Sequence, residues 1–303
     1  MAILTASLLF VSAILIRGWS QLRPHLSQIS LAPLIVGQLC TIAALLLGAV
    51  MWSLIQQAMG LGFSWQESMV IHMISSITKY IPGYAWQYVS KAYLSKRRGS
   101  SARPITLAIL TEFALLVAGG VVVAAAWGLL GHRDWRLAWD IPLWVWILAE
   151  AVGLLIGIAW NLVAPRLTSN ENGSVVRVRL LWCAGAVGML GWITFAAAVW
   201  LMSRSVYPVS LSVFPQHVVA LVTSVIVGLI VVIVPGGLGI RETLLAVLLA
   251  GVLPFTLGLV VGVMIRFSII LWELIGFGIA LRTFRKGKLM EPLSGSENAA
   301  QRE

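Results

Sequence analysis

Residues 221–252 read LVTSVIVGLIVVIVPGGLGIRETLLAVLLAGV, an apolar stretch interrupted near its middle by Pro235, Gly236, Gly237 and Gly239 and then by the adjacent charges Arg241 and Glu242. Proline removes a backbone donor and glycine relaxes the backbone, so the stretch reads as two half-helices with a break between them. A second stretch has the same design: residues 71–94, IHMISSITKYIPGYAWQYVSKAYL, break at Pro82 and Gly83, separated only by Ile81 from Lys79 and Tyr80. Non-helical backbone at membrane depth is tolerated only where protein or a water-filled cavity covers it. Both segments, 65–95 and 216–251, are therefore expected to be re-entrant helix hairpins inside an all-α integral membrane protein.

The rest of the chain fits that solvent. Of the 303 residues 59% are hydrophobic and 11% charged, with a mean hydropathy of +0.94, outside the soluble globular range. Charge-free runs at 113–131, 180–203 and 205–240 are each long enough to cross a hydrocarbon core at about 1.5 Å per residue. About six ordinary spans are expected, near 2–19, 32–55, 104–130, 141–164, 180–203 and 254–281. Residues 1–281 form one polytopic transmembrane domain on this reading, and 282–303 a tail that is first basic and then polar and disordered.

The two halves match in layout. Span 32–55 corresponds to 180–203, Pro82 to Pro235, and 104–130 to 254–281, at offsets of roughly 147 to 153 residues, which reads as an inverted repeat. With both broken segments re-entrant, Lys91, Lys96, Arg97, Arg98, Arg103, Arg166, Arg177, Arg179, Arg282, Arg285, Lys286 and Lys288 fall on one side, against Arg17, Arg23, Arg133, Arg136 and Arg204 on the other. That asymmetry of twelve to five exceeds the ten to seven obtained if both segments cross. The positive-inside rule then places both termini in the cytoplasm of a cell with this chain in its inner membrane. Trp19, Trp52, Trp65, Trp135, Trp139, Trp144 and Trp182 fall near span ends, as an interfacial aromatic belt would.

Several function classes are excluded. The net charge of +10 is spread over short segments between apolar runs, so nucleic acid is not an expected partner. Cys40 and Cys183 lie inside apolar segments and form neither a disulfide framework nor a zinc site. No Walker A loop, GxGxxG, HExxH or GxSxG occurs. Asp134 and Asp140 are the only aspartates, and His25, His72, His132 and His217 are scattered. No cofactor, metal or catalytic residue is expected.

Charge at membrane depth is the informative signal: Lys79, Arg241 and Glu242 beside the breaks, Glu112 and Glu150 within spans, and Arg266 with Glu273 in the last span. Each costs about 2.5–3.5 kcal/mol if unpaired, roughly 20 kcal/mol together. Interhelical ion pairs are expected for Glu112, Glu150, Arg266 and Glu273. Glu242 is expected to pair with Arg266 or Lys79, since Arg241 is its neighbour on one helix. Arg241 opens the half-helix after the glycines, where free N–H groups and the dipole favour an anion. Lys79 has snorkelling to the interface as its alternative. GLLIG at 153–157 and GLVVG at 258–262 are expected to pack closely within the fold.

The strings VPGGLGIRE at 234–242 and KYIPGYAWQ at 79–87 together resemble the signature motifs of the lysylphosphatidylglycerol synthase transmembrane, or flippase-like, family. That family includes the membrane half of the multiple peptide resistance factor and stand-alone relatives linked to polyprenyl-phosphate sugars. The resemblance maps Pro235, Gly236, Gly237, Gly239, Arg241 and Glu242, with Lys79, Tyr80, Pro82 and Gly83, onto the signature positions. It implies a translocase moving an anionic phospholipid or polyprenyl-phosphate-linked lipid; the substrate-binding residues expected are Arg241, Glu242, Gly236, Gly237, Gly239, Lys79 and Tyr80 of these positions, together with Glu112 and Arg266 from the interior charges. The sequence runs to Glu303 in a short polar tail, so no aminoacyl-transferase domain is expected. The competing expectation is an accessory subunit or intramembrane enzyme of polyprenyl-phosphate glycosylation, with Glu242 or Glu112 as general base. Expected partners are the membrane lipid, a separate synthase or glycosyltransferase, and a second copy of the chain as a homodimer.

Overall fold

The computed structural model describes residues 29–81, 86–98, 100–131, 143–168, 177–230 and 239–286. Among the described residues the chain is helical, without strands: α1 (Leu31–Ala58), α2 (Trp65–Ile77), α3 (Trp86–Lys96), α4 (Ala102–Gly131), α5 (Leu143–Thr168), α6 (Val178–Val206), α7 (Phe214–Ile230), α8 (Ile240–Leu248) and α9 (Phe255–Lys286). Short 3-10 turns at Thr78–Tyr80 and Leu211–Val213 complete the description.

Five stretches are long and apolar enough to cross a membrane: Leu31–Ala58, Ala102–Leu130, Val178–Val206, Leu211–Leu229 and Phe255–Thr283. Four of them are the spans expected near 32–55, 104–130, 180–203 and 254–281. The span expected at 141–164 is helical as α5, with a shorter apolar stretch over Ile147–Trp160. The span expected at 2–19 lies outside the described residues; of the tail expected at 282–303, the first five residues continue α9 to Lys286 and the rest lies outside the described residues.

The two broken segments differ in their helix lengths. α2 and α3 have 13 and 11 residues, about 20 and 16 Å, each too short to cross alone. α8 has nine, but the stretch Leu211–Leu229 ahead of the second break has 19 and is long enough by itself. Pro82, Gly83, Pro235, Gly236 and Gly237 lie outside the described residues, yet the edges of both breaks are visible. Ile81 turns extended, φ −73° and ψ 136°, as a residue before proline must. Gly239 caps α8 at φ 84°, a conformation that side-chain-bearing residues rarely adopt.

Local chemistry fixes the ends of the first segment. α2 opens with a reciprocal cap: Glu67 N–H donates to Ser64 Oγ at 3.3 Å, and Ser64 N–H to Glu67 Oε2 at 2.8 Å. Glu67 also forms an ion pair with Arg98, so the start and the end of segment 65–98 touch.

α1 and α6, the counterparts in the two halves, pack extensively against each other, and two further contacts cross between the halves in a matching way. α2 packs on α9, and its counterpart α7 packs on α4. The larger core gathers Trp192, Val199 and Met202 of α6, Val218 and Val222 of α7, Leu245 of α8 with Leu249 at its C-cap, and Leu257, Val261 and Ile265 of α9. The GLVVG motif works as expected: a Cβ on Gly258 would stand 2.9 Å from Ala246 Cα, and one on Gly262 3.0 Å from Glu242 Cα. The close approach of α8 and α9 requires both glycines. In GLLIG, Gly153 sits as tightly against Val122, at 2.9 Å.

Candidate functional site

α9 carries the charges around which the site is built. Arg266 and Glu273, seven residues apart on it, share one face. Arg266 Nε lies 3.3 Å from Glu242 Oε1, across the glycine-permitted α8–α9 contact. Glu242 Oε2 accepts a 2.7 Å hydrogen bond from Gly239 N–H, so one carboxylate both caps α8 and neutralises Arg266. Of the two partners expected for Glu242, Arg266 and Lys79, it is Arg266 that pairs with it, while Lys79 goes to Glu273.

Two turns along α9, Glu273 receives the edge of the first break. Lys79 Nζ forms an ion pair with its Oε1, and Tyr80 Oη donates to its Oε2 at 2.7 Å. Lys79 is thus held inside the bundle by a carboxylate and does not snorkel. Tyr80 lies within electrostatic reach of Arg241 and Arg266, which joins this pair to the first.

Glu112 on α4 has partners that the sequence did not reveal. Lys91 Nζ donates to its two oxygens, at 2.6 Å to Oε2, and His72 Nδ1 stands 3.7 Å from Oε1. Lys91 is fully buried, with its ammonium 4.2 Å from the centroid of the equally buried Trp52 ring, a cation–π contact. Two expectations are corrected here. Lys91 is not a loop charge, which leaves eleven residues on the basic side of the topology count. Trp52 is not part of an interfacial belt, because its side chain is fully buried in the core cluster that includes Ala108, Leu115, Leu181 and Ala184. Trp65 and Trp182 do remain exposed. Trp19, Trp135 and Trp139, and the Trp144 side chain, lie outside the described set.

Glu150 also departs from expectation: its Oε2 has no hydrogen-bond partner, and it takes part in no ion pair among the described residues. Gly236 and Gly237, expected at the site, lie outside the described residues. No group of three or more metal-ligating side chains occurs among those described.

The bookkeeping of charge isolates one residue. Glu112 is matched by Lys91, Glu273 by Lys79 and Glu242 by Arg266. Arg241 is the remaining base. Its Nε and Nη2 atoms are enclosed and have no hydrogen-bond partner among the described residues. The side chain lies over Gly228 of α7, where a Cβ would come within 2.5 Å of it. With Glu242, Arg266, Ser224 and Phe195 it lines a cavity of about 40 Å³, room for a few ordered waters.

No family model matches the chain and no curated protein matches it, so the resemblance rests on the residues of the two motifs.

Proposed function

We propose that the chain is a lipid translocase of the inner membrane that moves an anionic phospholipid or a polyprenyl-phosphate-linked lipid, with Arg241 as the headgroup anion site. The observation that carries this reading is the spare base: every other interior cation of the cluster has a carboxylate, and Arg241 has none among the described residues. A guanidinium enclosed in a bundle is costly without a counter-charge. A phosphate supplies one, with bidentate geometry. The first-turn N–H groups of α8 add donors of the same polarity.

In this mechanism the headgroup enters a polar cavity between two re-entrant hairpins of inverted halves, while its chains stay in hydrocarbon. What supports the first hairpin is the Glu67–Arg98 ion pair, which brings the ends of its segment together. What supports the pairing of halves is the exchange of contacts between α2–α9 and α7–α4. The cavity of about 40 Å³ is too small for a phosphate-bearing headgroup, so entry requires α8 to part from α7 or α9. Both termini face the cytoplasm on the remaining eleven-to-five count of basic residues.

The competing reading, an enzyme or accessory subunit of polyprenyl-phosphate glycosylation, needs Glu242 or Glu112 as a free general base. Both carboxylates are engaged by bases, which weighs against it. Mass spectrometry of lipid co-purifying with the full chain tests the proposal. An anionic lipid enriched on the wild type and depleted on Arg241→Ala is the expected outcome; equal retention by the two proteins removes Arg241 from the site.

A further inference from the structure

A second cavity, larger than the one beside Arg241, does not contain that residue. It has a volume of about 310 Å³ and lies between α1, α2 and α9, lined by Ile42, Leu45, Leu46, His72, Met73, Ser76, Trp272, Glu273, Ile275, Gly276 and Ile279. This volume reaches the lower end of the range for small-molecule sites, about 300–1,000 Å³, and the lining has their usual character of apolar walls with few polar groups. His72, Ser76 and Glu273 are those polar groups. His72 Nδ1 is enclosed without a hydrogen-bond partner.

We infer that this cavity holds one hydrocarbon chain of the lipid whose anionic head is placed at Arg241, an inference that rests on the reading above. Three observations select this occupant. First, the walls belong to α1 and α9, both long and apolar enough to span a membrane, and Leu46, Ile275 and Ile279 at the mouth remain 42 to 58% exposed. The medium at that mouth is hydrocarbon, so a chain enters sideways without crossing water. Second, the polar end of the cavity points toward the headgroup cluster. Glu273 lies in the cavity wall and Arg266 seven residues before it, about 10 Å along α9, a separation that a lipid's linking region spans. Third, the space is kept open by Gly276, where a Cβ would find only Met73, at 3.8 and 3.9 Å. A side chain would fit there at ordinary contact distance, and its absence leaves the volume empty. A helix, about 10 Å across with its side chains, is too wide for this space, whereas one extended alkyl or prenyl chain is not.

The test uses the full chain in nanodiscs of neutral phosphatidylcholine. Three probes carry a photoactivatable diazirine at the chain end: a diacyl phosphatidylglycerol, a single-chain polyprenyl phosphate and a phosphatidylcholine. The expected result is that an anionic probe labels Leu46, Met73 and Ile275 several-fold above the exposed Leu154 and Leu155 of α5, while the phosphatidylcholine probe shows no such preference. Whichever anionic probe labels more strongly identifies the chain type. Gly276→Leu, which fills the cavity, abolishes the labelling. Gly278→Leu, at a position with nothing within 4 Å, leaves it intact. Even labelling of the cavity and α5, or unchanged labelling in Gly276→Leu, overturns the inference. Arg241→Ala separates the two readings: cavity labelling that persists but loses its anionic preference supports both. Persistence with the preference intact supports the chain site and rejects Arg241 as the head site.

Discussion

Arg266 and Glu242 face each other at 3.3 Å across the α8–α9 contact, and the residue before Glu242, Arg241, has no carboxylate of its own among the described residues. The two arginines, close enough to repel each other, therefore answer truncation differently. Arg266→Leu strands a buried carboxylate, which costs about 3–5 kcal/mol. Arg241→Leu removes a cation that no described acid neutralises. Melting in detergent should fall by several degrees for Arg266→Leu and hold or rise for Arg241→Leu; a fall of equal size in both would mean that Arg241 has a structural partner.

The Lys79–Glu273 pair ties the first break to the last helix across 194 residues of sequence. Breaking such a pair from one side is more damaging than replacing both partners with apolar groups. Lys79→Met and Glu273→Leu are each expected to lower the melting temperature in detergent, and the double variant to recover most of the loss. Tyr80→Phe, which removes one hydrogen bond to Glu273, should cost only about 1 kcal/mol.

Lys91 and Lys96 stand five residues apart on α3 and meet opposite surroundings. Lys91 is fully buried against Glu112 and Trp52. Reductive methylation of the folded protein should modify Lys96 and spare Lys91, and both should react after denaturation. Modification of Lys91 at the rate of Lys96 in the folded protein would put it back among the loop charges.

Glu150 on α5 lacks both a base and a hydrogen-bond partner for Oε2 among the described residues. Glu150→Leu removes a carboxyl group from an apolar helix and is expected to leave the melting temperature unchanged or raise it. A drop of several degrees would reveal a partner outside the described residues.

How much of this was legible in the sequence differs from residue to residue. The Pro-Gly interruptions were legible because proline and glycine act on the backbone locally, and the edges of both breaks appear where expected, at Ile81 and Gly239. The Glu242–Arg266 pair was legible because adjacency excluded Arg241 and few interior bases remained. Lys91 was not. Lys96, Arg97 and Arg98 begin five residues after it, so by composition it belonged with a basic loop. Its burial depends on α3 turning it inward, with Ser95 four residues on along the same face. That spacing was the available signal. His72 carried none, because a single histidine in an apolar helix does not announce the carboxylate that tertiary packing brings to it. The length of the stretch before the second break was obscured by treating 216–251 as one unit, whereas the helical stretch begins at Leu211.

The measurement closest to the central claim is the movement of a fluorescent anionic lipid between leaflets of proteoliposomes, for the wild type and Arg241→Ala at equal reconstitution. A charge-assisted contact contributes about 1.5–3 kcal/mol, so its loss should slow translocation at sub-saturating lipid by roughly one to two orders of magnitude, with folding yield preserved. Equal rates for the two proteins would contradict Arg241 as the anion site, and no movement of any anionic lipid by the wild type would contradict the translocase itself.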